Sequence, residues 1–150
     1  LGQDVMIAGP IAVVLYASSD QLDTDFFVKL WDQVPSGTGQ NHHDVLLARG
    51  WLRASHRDLD ESRSTIGRPF HPHRDPRPIE PGKVYRFDIE VWPIAHVFMT
   101  GHRIRLHLTN GDSSVTDGNY SHFYGIKFGS DTILHDADHP SHVLLPIIPR

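Results

Sequence analysis

Residues 85–91 read Tyr-Arg-Phe-Asp-Ile-Glu-Val, so that an apolar side chain alternates with a polar or charged one at every step. Because successive side chains of an extended chain point to opposite faces, this pattern predicts a strand with Phe87 and Ile89 in a core. The alternation recurs in residues 103–108, which read Arg-Ile-Arg-Leu-His-Leu. A period of two, rather than the 3.6 residues of an amphipathic helix, predicts a domain built from strands.

Other strand patterns flank these two segments. Residues 11–17 are apolar on both faces, which predicts a central strand that is covered on both sides. Phe26, Val28 and Leu30 share one face of a second strand. A longer strand-like stretch covers residues 45–57, and Gly50 within it predicts a bulge or bend. Shorter strands are predicted at residues 125–128, 132–135 and 143–148.

Residues suited to tight turns separate the strands, at Pro35-Ser36-Gly37, Pro81-Gly82, Asn110-Gly111 and Asp117-Gly118. Residues 58–81 are polar and rich in proline, which predicts a long surface crossing rather than a domain boundary. About eight strands with one such crossing favour an all-β fold, a two-sheet antiparallel sandwich of jelly-roll character. Residues 1–150 are predicted to form this single domain.

The composition excludes several classes of function. A formal net charge of -4, spread along the chain, gives no basic stripe for nucleic acid. No apolar run approaches the roughly 20 residues that span a bilayer, so a soluble domain is expected, cytoplasmic or exported. The absence of cysteine rules out disulfides and thiolate zinc sites. Since Leu1 is not an initiator methionine, we expect the chain to be a fragment of a longer protein.

A serine nucleophile of the hydrolase type is missing. No serine lies in a Gly-x-Ser-x-Gly sequence, the turn that exposes a nucleophilic hydroxyl between a strand and a helix. No cysteine is present to replace it. We therefore predict no catalytic residue, and no cofactor, in this chain.

Several blocks together resemble one family. They are residues 23–30 with Asp23-Thr-Asp25-Phe26, residues 50–57, residues 98–106 with Gly101-His102-Arg103, and residues 139–150 from His139 to the final Pro-Arg. In this order and spacing they resemble the C-terminal domain of cocaine esterase and the X-prolyl dipeptidyl-peptidases, the CocE/NonD hydrolases. The resemblance covers nearly the whole chain and is weakest between Asn110 and Asp138.

The resemblance implies a galactose-binding-domain-like jelly roll. It further implies a parent hydrolase that cleaves esters, amides or X-prolyl peptides, in which a separate α/β-hydrolase domain of the same chain carries the catalytic serine. This domain would then pack on that catalytic domain and help to wall the entrance of its active site. A homodimer is also compatible with the family, and the alternative function is a freestanding carbohydrate-binding module.

An acidic and a basic block form the main candidate site. Arg53 and Arg57 are predicted to share a strand face, and their guanidinium groups suit a carboxylate or phosphate ligand. The alternative, which we favour, pairs them with Asp23 or Asp25 in a partly buried structural network. On that interpretation, Asp25→Ala should destabilise the fold by a few kcal/mol because it orphans an arginine. His102 is likewise predicted to be a hydrogen-bonded structural residue.

Weaker candidates concern metals and sugars. Asp20, Asp23 and Asp25 have the spacing of carboxylates in calcium loops, but aspartates before strands also close turns. His71-Pro-His73 resembles half of a cupin-type metal site, although the prolines place it in the surface crossing. Three further candidates are each the weaker interpretation of their residues. They are a metal pair at His42-His43 and an acid–base group of His107, Asp112 and His122. The third is a sugar-binding platform of Tyr16, Trp31, Trp51 and Trp92.

Overall fold

The computed structural model describes residues 1–35, 44–111 and 128–149. These residues form seven strands and one short 3-10 helix at Ala54–His56. The strands are β1 (Val5–Ser19), β2 (Asp25–Gln33), β3 (Val45–Arg53), β4 (Tyr85–Phe98), β5 (Arg103–Thr109), β6 (Asp131–Leu134) and β7 (His142–Leu144). Among the described residues, no helix is long and apolar enough to cross a bilayer.

The strands form two antiparallel sheets, so the predicted all-β sandwich is confirmed. The first sheet has the order β4-β1-β6, with β7 also paired to β1, and the second has the order β3-β2-β5. The chain passes from the first sheet to the second after β1 and β4, and returns after β3 and β5. This alternation between two packed sheets is the connectivity of a jelly-roll-like sandwich.

The core lies between the two sheets. Phe87 and Ile89 of β4 are 1% and 0% exposed, as the alternation in residues 85–91 predicts. Phe26 of β2 is also 1% exposed, and its ring lies 4.9 Å from the ring of Phe87 between centroids. The prediction that residues 11–17 form a central strand is confirmed as well, since β1 has neighbours on both sides.

Two strands are longer than their sequence patterns indicate. β1 begins at Val5 and β4 continues to Phe98, because their pairing extends past an irregular point. Gly9 pairs with Ile94 and Ile11 pairs with Val91, so that two residues of β4, one of them Pro93, lie opposite one residue of β1. Proline is tolerated at such a bulge because no ladder hydrogen bond is required of it there.

The prediction for residues 45–57 is wrong in two details. β3 ends at Arg53, and the 3-10 helix at Ala54–His56 turns the chain before Arg57. The shift in register on β3 lies at Leu47, since Leu30 pairs with Ala48 and Trp31 with Leu46, and it does not lie at Gly50. A Cβ atom at Gly50 would lie 2.0 Å from the carbonyl oxygen of Glu90, so this glycine allows β3 and β4 to approach closely across the sandwich.

The crossing (residues 58–81) runs over the outer face of the first sheet and returns to the core. Ile79 is 2% exposed, and its backbone N–H donates to the carbonyl of Leu22 at 2.8 Å. Leu59 and Ile66 line a surface depression together with Ala12 of β1, which is 3% exposed although it lies on the outer face. One part of the outer face is thus covered by the chain's own polypeptide.

The remaining strand predictions differ in length. Residues 132–135 correspond to β6, and residues 143–148 shorten to β7 plus a single bridge between Ile147 and Ile7. Residues 125–127 lie outside the described residues, as do Ser36-Gly37, His42-His43, Asp112, Asp117-Gly118 and His122. The turn at Pro81-Gly82 is present, and Gly82 adopts a φ of 79° that favours glycine.

Candidate functional site

The first predicted pair, Arg53 and Asp25, forms across the ends of two strands. Asp25 is the first residue of β2 and pairs in register with Arg53, the last residue of β3. The Arg53 Nε donates to Asp25 Oδ1 at 2.7 Å and its Nη2 donates to Oδ2 at 3.2 Å, a bidentate geometry. The hydrogen bond to Asp25 is the main cause that raises the pKa of Arg53 above its usual value.

The other two members of the predicted network have different partners. Asp23 accepts hydrogen bonds from the backbone N–H and the hydroxyl of Ser55 at 2.8 and 2.9 Å. These bonds hold the 3-10 helix that follows β3. Arg57 lies beyond that helix, donates to the carbonyls of Ala54 and Arg77, and covers the ring of Tyr85 at 4.5 Å. The prediction that Arg53 and Arg57 share a strand face is therefore wrong, because the strand ends between them.

His102 belongs to a second polar cluster, whose other two members, Asp32 and His96, were not predicted from the sequence. Its Nδ1 lies 2.9 Å from Oδ1 of Asp32, and Nε2 of His96 lies 3.0 Å from Oδ2 of the same carboxylate. Asp32 is on β2 and His96 is on β4, so this contact joins the two sheets. A signal for it exists in the sequence: Asp32 follows Phe26, Val28 and Leu30 on the buried face, where a carboxylate requires a partner.

Three histidines form a third cluster beside the crossing. The ring of His73 lies 5.2 Å from that of His56 and 5.8 Å from that of His71, between centroids. The two ring nitrogens of His71 lie 3.1 and 2.7 Å from the carbonyl oxygens of Asp58 and Asp88. Burial lowers the pKa of His73, and the nearby charges of His71 and His56 lower it further.

The metal candidates do not assemble in the part of the chain that is described. There, no group of three or more His, Cys, Asp or Glu side chains could hold an ion. Asp20 accepts from Gln21 and from the backbone of Ser130, whereas Asp23 and Asp25 bind Ser55 and Arg53. The three aspartates of the calcium hypothesis thus direct these hydrogen bonds to different residues. His71 of the His71-Pro-His73 motif is bound to backbone carbonyls.

Several serine hydroxyls are committed to oxygen acceptors. Ser55 and Ser62 donate to the carboxylates of Asp23 and Asp60. Ser64 and Ser141 donate to the backbone carbonyls of Asp60 and Leu134. A carbonyl oxygen is not a base that can remove the proton of a serine nucleophile, so the hydrogen bonds of Ser64 and Ser141 do not activate these hydroxyls.

Two of the four predicted platform aromatics meet. The rings of Trp51 and Trp92 lie 5.9 Å apart between centroids, and these side chains are 38% and 53% exposed. A cleft of about 310 Å³ beside them is also lined by Phe70, His73 and Glu90. Tyr16 instead contacts the ring of His139, at 5.7 Å, and Trp31 lies on β2 opposite Arg105 of β5. The four residues therefore do not form one surface.

Comparison with known proteins identifies the family. Residues 1–144 match the model of the X-Pro dipeptidyl-peptidase C-terminal non-catalytic domain. Cocaine esterase from Rhodococcus sp. is 28% identical over 159 residues, which cover 100% of this chain and 24% of that protein. The chain thus spans about a quarter of the length of this relative.

Solved structures show the same fold. A CocE/NonD family hydrolase from Staphylococcus aureus superimposes with a TM-score of 0.86 at 23% identity, over 99% of this chain and 29% of that one. An aminopeptidase from a Thaumarchaeota archaeon superimposes with a TM-score of 0.73 at 20% identity, over 99% of this chain and 24% of that one. By the family model that spans nearly all of its length, the chain belongs to the X-Pro dipeptidyl-peptidase C-terminal non-catalytic domains, the domain that CocE/NonD family hydrolases carry.

Proposed function

We propose that this domain packs on an α/β-hydrolase-type serine hydrolase domain of the same parent chain and helps to wall the entrance of its active site. The observation that carries the proposal is that nearly the whole chain matches a domain described as non-catalytic, while it spans only about a quarter of a cocaine esterase. The parent's substrates would be acyl esters, amides or X-prolyl peptides, and the match to cocaine esterase and to the X-Pro dipeptidyl-peptidase domain supports the first and the last of these classes.

Within this proposal, Asp23, Asp25, Arg53, Arg57 and His102 have a structural role. The guanidinium fork of Arg53 is filled by Asp25, and Arg57 is bound to two backbone carbonyls. Asp23 holds the 3-10 helix, and His102 binds the buried carboxylate of Asp32. The guanidinium groups thus already donate to acceptors within the chain. This favours a network that stabilises the fold, and it argues against a site for an exogenous anion.

The test compares ester hydrolysis by three proteins: the parent chain, the parent with its nucleophilic serine replaced by alanine, and residues 1–150 alone. We expect turnover of a chromogenic ester by the first protein only, because the bond-breaking groups belong to the upstream domain. Turnover by residues 1–150 at a rate comparable with the parent would overturn the proposal. Activity of the serine-to-alanine parent would contradict its serine-hydrolase part.

A second candidate, a carbohydrate-binding module, is supported by the cleft beside Trp51 and Trp92. Exposed indole rings bind the apolar face of a sugar, and Glu90 and His73 could accept or donate to its hydroxyls. Titration of soluble glycans against tryptophan fluorescence, with Trp92→Ala as the control, separates the two functions. Saturable binding that Trp92→Ala abolishes would favour the module, and no response at millimolar sugar would exclude it.

Self-association through this domain is a further proposal about partners. β3 and β5 are edge strands of the second sheet in the described residues, and exposed edges can pair with a second copy. The molar mass of the parent in solution, from light scattering after gel filtration, decides between a monomer and a dimer.

A further inference from the structure

An exposed apolar surface lies at one end of the outer face of the first sheet. We name it the terminal patch and define it by Met6, Ala8, Ala95, Val97, Met99 and Ile148. Met6 pairs across the ladder with Val97, and Ala8 pairs with Ala95, so each pair shares one face. The backbone N–H of Ile148 donates to the carbonyl of Met6 at 2.9 Å, which adds a third segment to the row.

The terminal patch faces away from the core. Ile7 and Phe98, the chain neighbours of Met6 and Val97, are both 0% exposed and point into the sandwich. Met6, Met99 and Ile148 are 49%, 50% and 42% exposed, and Val97 is 38% exposed. None of the six residues of the patch carries a charge, whereas the face of a sheet that contacts water usually carries polar side chains.

Cover by the chain's own polypeptide stops before the patch. Ala12 and Val14, further along the outer face of β1, are both 3% exposed, and the crossing lies over Ala12. Ala8 and Ala95, by contrast, are exposed. Their small side chains make a shallow floor next to the larger cross-strand pair of Met6 and Val97, which allows a helix or another sheet to approach closely.

The start of the chain lies at the edge of the same patch. The amino nitrogen of Leu1 donates to the carbonyl of His102 at 2.8 Å, and the N–H of Gly101 donates to the carbonyl of Leu1 at 2.9 Å. Asp4 accepts from the backbone N–H and the hydroxyl of Thr100 at 2.7 and 2.8 Å. These bonds hold the first residues against the segment that contains Met99. Any polypeptide before Leu1 therefore leaves the domain beside the terminal patch.

We propose that the terminal patch is the surface on which the catalytic domain of the parent chain docks. The proposal rests on the proposed function, and it selects one face among those that the domain exposes. Two observations favour this occupant: Leu1 lies at the edge of the patch, and a relative such as cocaine esterase has about three quarters of its length outside this domain. A tethered partner at high effective concentration covers a nearby apolar surface in preference to a distant one.

The experiment uses the parent chain with the double substitution Met6→Glu and Val97→Lys. The two residues are cross-strand neighbours, so the introduced charges pair with each other and leave the sheet stable while the apolar surface is lost. The control is Leu22→Glu, which removes an apolar side chain that is 64% exposed and that follows β1 at the end opposite to the patch. Hydrogen–deuterium exchange is measured on all three chains.

We expect amide exchange in one contiguous surface segment of the catalytic domain to become about tenfold faster or more in the double variant, because that segment loses its cover. Core amides of β1 and β4 should stay protected, which shows that the domain is folded. The control should match the unmodified parent. Unchanged exchange in the catalytic domain of a folded double variant would overturn the proposal.

A second measurement separates this inference from the proposed function. Small-angle scattering of the unmodified parent reports whether the two domains are in contact at all. A compact parent whose contact survives the double substitution contradicts the terminal patch as the docking face and leaves the proposed function intact. An extended parent with independent domains contradicts both.

Discussion

Arg53 and Asp25 share two hydrogen bonds but lie in different environments. The Asp25 side chain is 8% exposed, whereas that of Arg53 is 48% exposed. A guanidinium that loses its partner at half exposure is still hydrated. The Asp25 carboxylate is mostly buried, so the loss of two hydrogen bonds from Arg53 is not made good by water, and a buried charge that loses such bonds is expensive. From the sequence we expected the loss of Asp25 to be costly because it orphans Arg53. The exposures in the structure instead predict that the loss of Arg53 costs more.

We predict that Arg53→Ala destabilises the domain by about 3 kcal/mol and that Asp25→Ala costs only about 1 kcal/mol. The difference arises because the first substitution leaves a buried carboxylate and the second leaves a solvated guanidinium. Urea unfolding of both variants measures it. Glu80→Ala, which removes the exposed pair with Lys83, is the control and should leave the free energy of unfolding nearly unchanged. Equal costs for the two main variants would contradict this account.

At the scale of elements, Gly50 determines how closely β3 packs on β4. A Cβ atom there would lie 2.0 Å from the carbonyl oxygen of Glu90 and 3.0 Å from the Cα of Val91, both backbone atoms. Backbone atoms of a paired strand cannot rotate away as the end of a flexible side chain can. Trp51 directly follows Gly50, and Trp92 directly follows Val91. The contact between these two rings therefore depends on the same close approach.

We predict that Gly50→Ala destabilises the domain by about 3 kcal/mol, because the two sheets must separate to admit one methyl group. Because this separation would also move the rings of Trp51 and Trp92 apart, the tryptophan fluorescence of the folded state should change. Thermal and urea unfolding measure the first effect. Gly2→Ala serves as the control, since a Cβ atom there would meet nothing within 4 Å. A Gly50→Ala domain as stable as the Gly2→Ala domain would show that the close approach is not required.

The length of β1 and β4 shows why element boundaries were only partly predictable. Gly9-Pro10 and Pro93 read as strand breakers in isolation. In the sandwich they lie opposite one another at a single bulge, and pairing resumes beyond it down to Phe98. A local pattern contains no information about the strand across the ladder, so it predicted the regular part of each strand and missed the part that continues after the bulge.

At the scale of the whole molecule, the histidines join parts of the chain that are distant in sequence. Asp32 with His96 and His102 connects the two sheets, and His56, His71 and His73 connect the 3-10 helix, the crossing and β4. Five of the twelve histidines of the chain thus make contacts between separate parts of the fold. This placement also links global stability to pH through His73.

We predict that stability falls as the pH drops below about 6.5, and that part of this loss disappears in His73→Asn. The pKa of His73 is lower in the fold than the ordinary value of 6.5, mainly because of burial. The unfolded chain therefore binds the proton first, so the contribution is fully present above that value and is lost as the pH falls towards the lowered pKa. Asparagine tolerates the φ of 52° at this position.

Urea unfolding at several pH values between about 7 and 5 measures the slope of the unfolding free energy. It should be shallower in His73→Asn than in the unmodified domain. Arg74→Gln, a substitution at the exposed neighbouring position that leaves His73 in place, should retain the original slope. Identical slopes in all three proteins would show that His73 does not contribute.

The sequence by itself determined the class of structure and the family. Period-two alternation in residues 85–91 and the apolar run at residues 11–17 are local properties. Because apolar side chains are buried in any fold, these patterns predict strands without knowledge of the rest of the chain. Which residues contact one another across the sandwich was decided only by the tertiary structure. Asp32 meets His96 from the other sheet, Arg57 turns away from the aspartates, and Met6 joins Val97 and Ile148 in one exposed surface. Contacts of this kind depend on the register and approach of two sheets, which are set by the packing of the complete core and not by any single segment.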